Sequence, residues 1–212
     1  MNSIVEAANL PLARAADLHA IVRIGEDIRG VMGTARAVNL AAMNAMLASR
    51  RSGEAAVGFR VAALELRGMA AGLTEAMAGL SRLVFGLVRD VALRMHKQRT
   101  HDYFQRVENT DPKTVAYLDP LIARQEQEMG QLAFHLGQLR RELDQVARHA
   151  LRLCDMGLSL SRSARVEAAY GGESAPVLKQ VAAHQTEAIE SVAATLRGLR
   201  LELAGERAGA RT

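Results

Sequence analysis

Proline stands at only four positions, 11, 112, 120 and 176, and between them apolar residues recur in steps of three and four. Proline breaks helices, and a three–four spacing held over many turns lines one face of a helix, so this chain is built to form long helices packed along narrow seams. The first seam starts at Ile21 and runs through Ile28, Ala35 and Ala42 to Ser49 and Ser52. It predicts a helix from near Pro11, with Asn9 as cap, to near Gly53. A second seam, from Phe59 through Leu66, Leu73, Leu80 and Leu83 to Leu87, predicts a helix continuing to about Phe104.

Residues 105–113 are polar and carry Asn109, Asp111 and Pro112, the pattern of a loop. The third seam runs from Leu118 through Met129, Leu136, Val146 and Leu153 to Leu160, with Asp119 and Pro120 as cap and first helical residue and an end near Ala168. Tyr170 to Ser174 reads as a break, with Ser174 as the next cap, and the fourth seam runs from Leu178 to Leu203. The organisation predicted is a first hairpin over 1–104, a loop at 105–113, a second hairpin over 114–205 and a tail at 206–212. At 1.5 Å per residue, the two central helices of about 50 residues span about 75 Å, which brings the breaks near 53 and 172 to one end. The fold class expected is all-α: long antiparallel hairpins forming an elongated four-helix coiled-coil bundle. One chain supplies both hairpins as a pseudo-dimer; the alternative is a homodimer in which hairpins pair between chains.

Composition supports thin seams. Apolar residues make up 49% of the chain but aromatics only 3%, with no Trp, so Ala, Leu, Val, Ile and Met must fill the core. The net charge of +4 is spread among interspersed acids and bases, which reads as a solvated helix surface and not as a nucleic-acid site. The longest apolar run, Leu83 to Val88, is too short for membrane insertion, and the acidic Glu6 near the start argues against a signal peptide. Cys154 is the one cysteine, so no disulfide can form within the chain and a reducing cytoplasm is expected. No metalloprotease, phosphate-loop or nucleophile-elbow pattern occurs, so neither enzymatic activity nor a cofactor is expected. His149, Cys154 and His184 are the weak candidates for a metal site, since the third and fourth helices could bring them together.

The stretch VNLAAMNAMLASRRSGEAAVGFRVAALELRGMA, Val38 to Ala70, carries the most specific pattern. Small residues at Ala42, Ala45 and Ser49 allow close backbone approach, and Gly53 and Gly58 flank a reversal. Asn39 and Asn44 lie in or beside the seam, where polar residues fix register. Without a gap, this stretch resembles the cytoplasmic hairpin tip of bacterial chemoreceptors, the methyl-accepting chemotaxis proteins. Asn39, Asn44, Arg51, Gly53, Glu54, Gly58, Phe59, Val61, Glu65, Arg67 and Ala70 coincide with that family's residues. The resemblance implies a tip that binds a histidine kinase and its SH3-like coupling protein, with Leu40, Met43, Leu47 and Arg51 on the partner-facing side and Val61 on the return helix.

The chain departs from the family at Arg36, where an apolar aromatic is usual, and at Ala37, Ala48 and Val57, where polar residues are usual. Three Arg36 side chains converging in a seam would repel, so receptor-style trimers are not expected. Gln125 and Glu128 resemble a methylation pair only loosely and read as ordinary helix residues. The stretch around Gly171 and Gly172 resembles the first tip more distantly, as a diverged second tip. The function expected is non-catalytic signalling by docking a chemotaxis-type coupling protein, a histidine kinase or a chemoreceptor array. The alternatives are a cytoplasmic sensor with a ligand or metal held among the helices, and a structural helical adaptor.

Overall fold

A computed structural model describes residues 15–51, 53–108 and 112–209. The chain is all-α, four long helices packed antiparallel as a bundle: α1 (Ala15–Arg51), α2 (Val57–Glu108), α3 (Pro112–Ala168) and α4 (Ala175–Gly209). Short 3-10 turns, Gly53–Ala56 and Gly172–Ser174, lead into α2 and α4. Each helix packs on its sequence neighbour, and α1 also packs on α4, which closes the ring. With 52 and 57 residues, α2 and α3 outrun α1 and α4, which have 37 and 35. The excess falls at the end away from the two short turns.

The predicted seams become the core. On α1 the buried residues are Ile24, Ile28, Val31, Ala35, Val38, Ala42, Ala45 and Ser49, the expected positions in order. On α4 they are Leu178, Ala182, Gln185, Ile189, Val192, Ala193, Leu196 and Leu199. α2 buries a wider face, including the pairs Ala62–Ala63, Met69–Ala70 and Ala76–Met77, because it lies between α1 and α3. Its line passes through Val84 while Leu83 is half-buried, as expected when a helix of 3.6 residues per turn drifts against a seven-residue repeat.

The expected seam of α3 needs correction. Beyond Leu143 its buried line is Ala147, Ala150, Cys154, Gly157, Ser161, Ala164 and Ala168: Ala150 and Gly157 stand as expected, while Ala147, Cys154 and Ser161 replace the expected Val146, Leu153 and Leu160. Those larger side chains pack half-buried at the flank, while small residues take the positions of closest approach. Hydrophobicity selects the leucines; the space between helices selects the alanines.

The boundaries near the far end shift as well. α2 continues to Glu108, and α3 begins at Pro112 and runs through Pro120, so the expected loop at 105–113 contracts and Pro120 lies inside a helix. Pro112 takes the first helical position, where a missing N–H costs nothing. Pro120 leaves the Ala116 carbonyl without its intrahelical donor, a cost borne within a helix that packs against α2. The helical segment of α4 runs through Gly209, into the expected tail. Asn9 and Pro11 lie outside the described residues, as does Ser52.

Gly53 and Gly172, with φ of 64° and 56°, make the two reversals. That left-handed backbone costs a side-chain-bearing residue roughly 1–2 kcal/mol. Gly53→Ala and Gly172→Ala should therefore each destabilise the protein by about 1 kcal/mol, measured by urea denaturation, while helix content by circular dichroism stays the same.

Candidate docking surface at the hairpin tips

Both turns lie at one end and share a core. Phe59 and Leu178, fully buried, sit among Ala45, Ala56, Ala62, Ala63, Ala164, Ala168 and Ala182, so the two tips pack on each other. Alanines at these positions let the four backbones converge, and Phe59 is the one large ring in the space left between them. Gly58 lies in the first turn of α2, where a Cβ would overlap the Glu167 carboxylate of α3. A side chain there would move the end of Glu167 aside; the positive-φ reversal belongs to Gly53. Negative charge against the first turn of a helix is favourable, because the N–H groups there have no intrahelical acceptor.

The outward face is apolar. Leu40 is 58% exposed, Met43 40%, Leu47 58% and Val61 56%, so four of the five residues expected to face a partner lie at the surface of the bundle and outside its core. The side chains of Arg51 and Glu54 lie outside the described residues. Arg36 is exposed one turn before Leu40 on the same outer face of α1. Asn39 is half-buried beside the seam and Asn44 is exposed, while Val38, Ala42 and Ala45 fill the seam itself. Glu65 and Arg67 are exposed on α2.

Two residues join this surface that sequence reasoning did not assign to it. Val57 and Leu64 are exposed on α2, at i−4 and i+3 from Val61. The signal was available in the spacing 57–61–64, an apolar stripe that avoids the Phe59–Leu66 seam. Around the second turn, Val166, Tyr170 and Val177 are exposed too. Single surface leucines are ordinary; here apolar side chains recur at consecutive turns of the same helix.

Elsewhere, polar contacts pin the helices in register. Asp144 of α3 accepts from Arg148 one turn on and from Arg200 of α4, at 2.6 and 3.1 Å. The buried Asp90 of α2 meets His135 of α3 at 2.7 Å and accepts from Arg89 at 3.1 Å. Further out, Gln125 donates to the Lys97 carbonyl at 2.8 Å, and Glu128 pairs with Lys97 and Arg124, which hold its carboxyl below the usual carboxylate range. Both residues of the methylation-like pair are thus engaged with α2. Burial, with Arg140 nearby, lowers the pKa of Arg94 in the same region.

The weak metal candidates do not converge. Cys154 is buried in the core, while His149 and His184 are exposed. Among the described residues, no group of three or more His, Cys, Asp and Glu is placed to hold a metal, and no helix is long and apolar enough to cross a membrane. A shallow groove of about 260 Å³ lies between α1 and α4, lined by Glu26, Asp27, Gly30, Val31, Thr34, Ser191, Val192 and Thr195. Comparison with known protein families, curated proteins and solved structures finds no significant match to this chain.

Burial pushes the Cys154 thiol up to about 11; Asp155 adds to the rise and Arg197 opposes it. The raised value favours the folded state fully below the unfolded thiol pKa of about 8.5 and loses that contribution as pH rises toward 11. At pH 8 the folded thiol should therefore react with an aromatic disulfide at least about a hundredfold more slowly than the urea-unfolded chain, followed by thiolate release.

Proposed function

We propose that this protein is a non-catalytic signalling component that docks partner proteins through the outer face of its first hairpin tip. The observation that carries the reading is the exposure of Leu40, Met43, Leu47 and Val61, at the positions where the tip resembles the partner-facing side of chemoreceptor hairpins. A few apolar anchors surrounded by polar neighbours can supply most of an interface's binding energy. The partner proposed is a chemotaxis-type coupling protein or its histidine kinase, with assembly into a chemoreceptor array as the larger setting. Arg36, at the edge of the stripe, disfavours the receptor's own trimers, since three guanidinium groups would meet without acceptors.

A second reading, a sensor that takes a small ligand, is favoured by the groove between α1 and α4, where Glu26 and Asp27 stand beside the hydroxyls of Thr34, Ser191 and Thr195.

The docking reading is tested with purified coupling protein and kinase from the same cell. Met43→Glu and Leu47→Glu should each weaken binding at least tenfold, a loss of about 1.4 kcal/mol, with the melting temperature changed by no more than a few degrees. Unfolding would place these side chains in the core, and unchanged binding would place the docking face elsewhere.

Arg36→Phe combined with Ala48→Glu should shift the protein toward trimers or toward co-clustering with receptors, read by cross-linking. Receptor-style trimers of the unaltered chain would overturn the role given to Arg36.

A further inference from the structure

The apolar core is not continuous. One part spans Ile24 to Ala42 on α1, Leu66 to Val91 on α2, Leu136 to Cys154 on α3 and Ile189 to Leu199 on α4. The other lies at the tips and takes Ala45, Ala56 to Ala63, Ala164 to Ala168, and Leu178 to Ala182. All four helices change from one to the other at the same level. On α3 the buried residue between Gly157 and Ala164 is Ser161; on α4 the one between Ala182 and Ile189 is Gln185.

Both are orphaned. Ser161 is fully buried with no partner for its hydroxyl, and Gln185 is 1% exposed with neither amide atom bonded. Other hydroxyls close by are satisfied within their own helices: Ser49 donates to the Met46 carbonyl, and Thr186 to the Ala182 carbonyl, both at 2.9 Å. A buried amide without a partner has given up its water for nothing, so the closed packing is penalised at this level. On the tip side, moreover, the core is mostly alanine, with Phe59 and Leu178 its only large members. Alanine burial contributes little for the order it requires.

We propose that the two tips open together as a unit separate from the rest of the bundle, with the Ser161–Gln185 layer as the parting plane. Opening lets water reach the Gln185 amide and the Ser161 hydroxyl, which recovers the desolvation lost on closing. The helices on the body side, cored by Ile, Leu and Met, stay packed. The device belongs to the fold and does not depend on which partner docks.

Native-state hydrogen exchange of the full chain, read by mass spectrometry and corrected for intrinsic rates, tests this. Amides of 45–63 and 164–182 should exchange together, at least about tenfold faster than those of 66–91, 136–154 and 189–199. Replacing both orphans, Ser161→Ala with Gln185→Leu, should slow the tip amides about tenfold or more and leave the body rates unchanged. Ser161→Ala alone should slow the same segments by a smaller factor, which keeps the test if the double variant fails to fold. His184→Leu, at the exposed neighbouring position, should change nothing. Uniform protection across all four helices would overturn the proposal, and so would tip rates that ignore the loss of both orphans.

Discussion

The fold depends on how closely four helices approach along seams that few aromatics fill. Along the body these seams hold Ile, Leu and Met among alanines, and at the tips they hold mostly alanine. The fit is tight at Gly157, where a Cβ would stand 2.6 Å from Cε of Met69 and 3.1 Å from Cδ1 of Ile189. At Gly171 a Cβ would meet the Leu178 side chain at 2.8 Å. A side chain at Gly157 would displace the ends of Met69 and Ile189, and one at Gly171 the end of Leu178. The exposed stripe at the tip follows from the same geometry: once small residues take the inside, the leucines and methionines of that stretch are left facing out.

That division explains what could be read from the sequence and what could not. The lines on α1 and α4 were legible because their buried positions keep the three–four spacing throughout, even where Ala42, Ala45, Ser49 and Gln185 occupy it. On α3 the signal pointed to Val146, Leu153 and Leu160, because periodicity weighs hydrophobicity and is blind to the distance between helices. The start of α3 was misplaced because Pro120 reads as a boundary by its local chemistry, whereas contact with α2 carries the helix through it. Of the candidate surface, Leu40, Met43, Leu47 and Val61 were legible only through resemblance, since a leucine facing a partner and one facing the core look alike in a single chain. Val57 had been noted solely as a departure from the family, and Leu64 not at all. The orphaned polar pair was half legible: Gln185 falls seven residues after Leu178, on the line of the fourth seam, but Ser161 lies one residue off the line expected for α3.

The tips also show why two hairpins in one chain differ from two copies of one hairpin. The first turn brings Phe59 and the second brings Leu178, so the ring from one side fills space that the alanines of the other leave open. Glu167 of the second hairpin lies against Gly58 of the first. Each tip completes its neighbour, and a perfect repeat would place two rings, or none, in that space.

The register contacts set the kind of motion the bundle permits. α3 is joined to α2 through Asp90 with His135 and through Lys97 with Glu128, and to α4 through Asp144 with Arg200. A slide of half a turn along the axis, about 2.7 Å, would part these pairs together. None of these three pairs belongs to the Ser161–Gln185 layer or to the tip core. Sliding of α3 against α2 and α4 therefore strains them, while sideways splaying of the tips breaks none, so the rod resists sliding more than spreading at its turns.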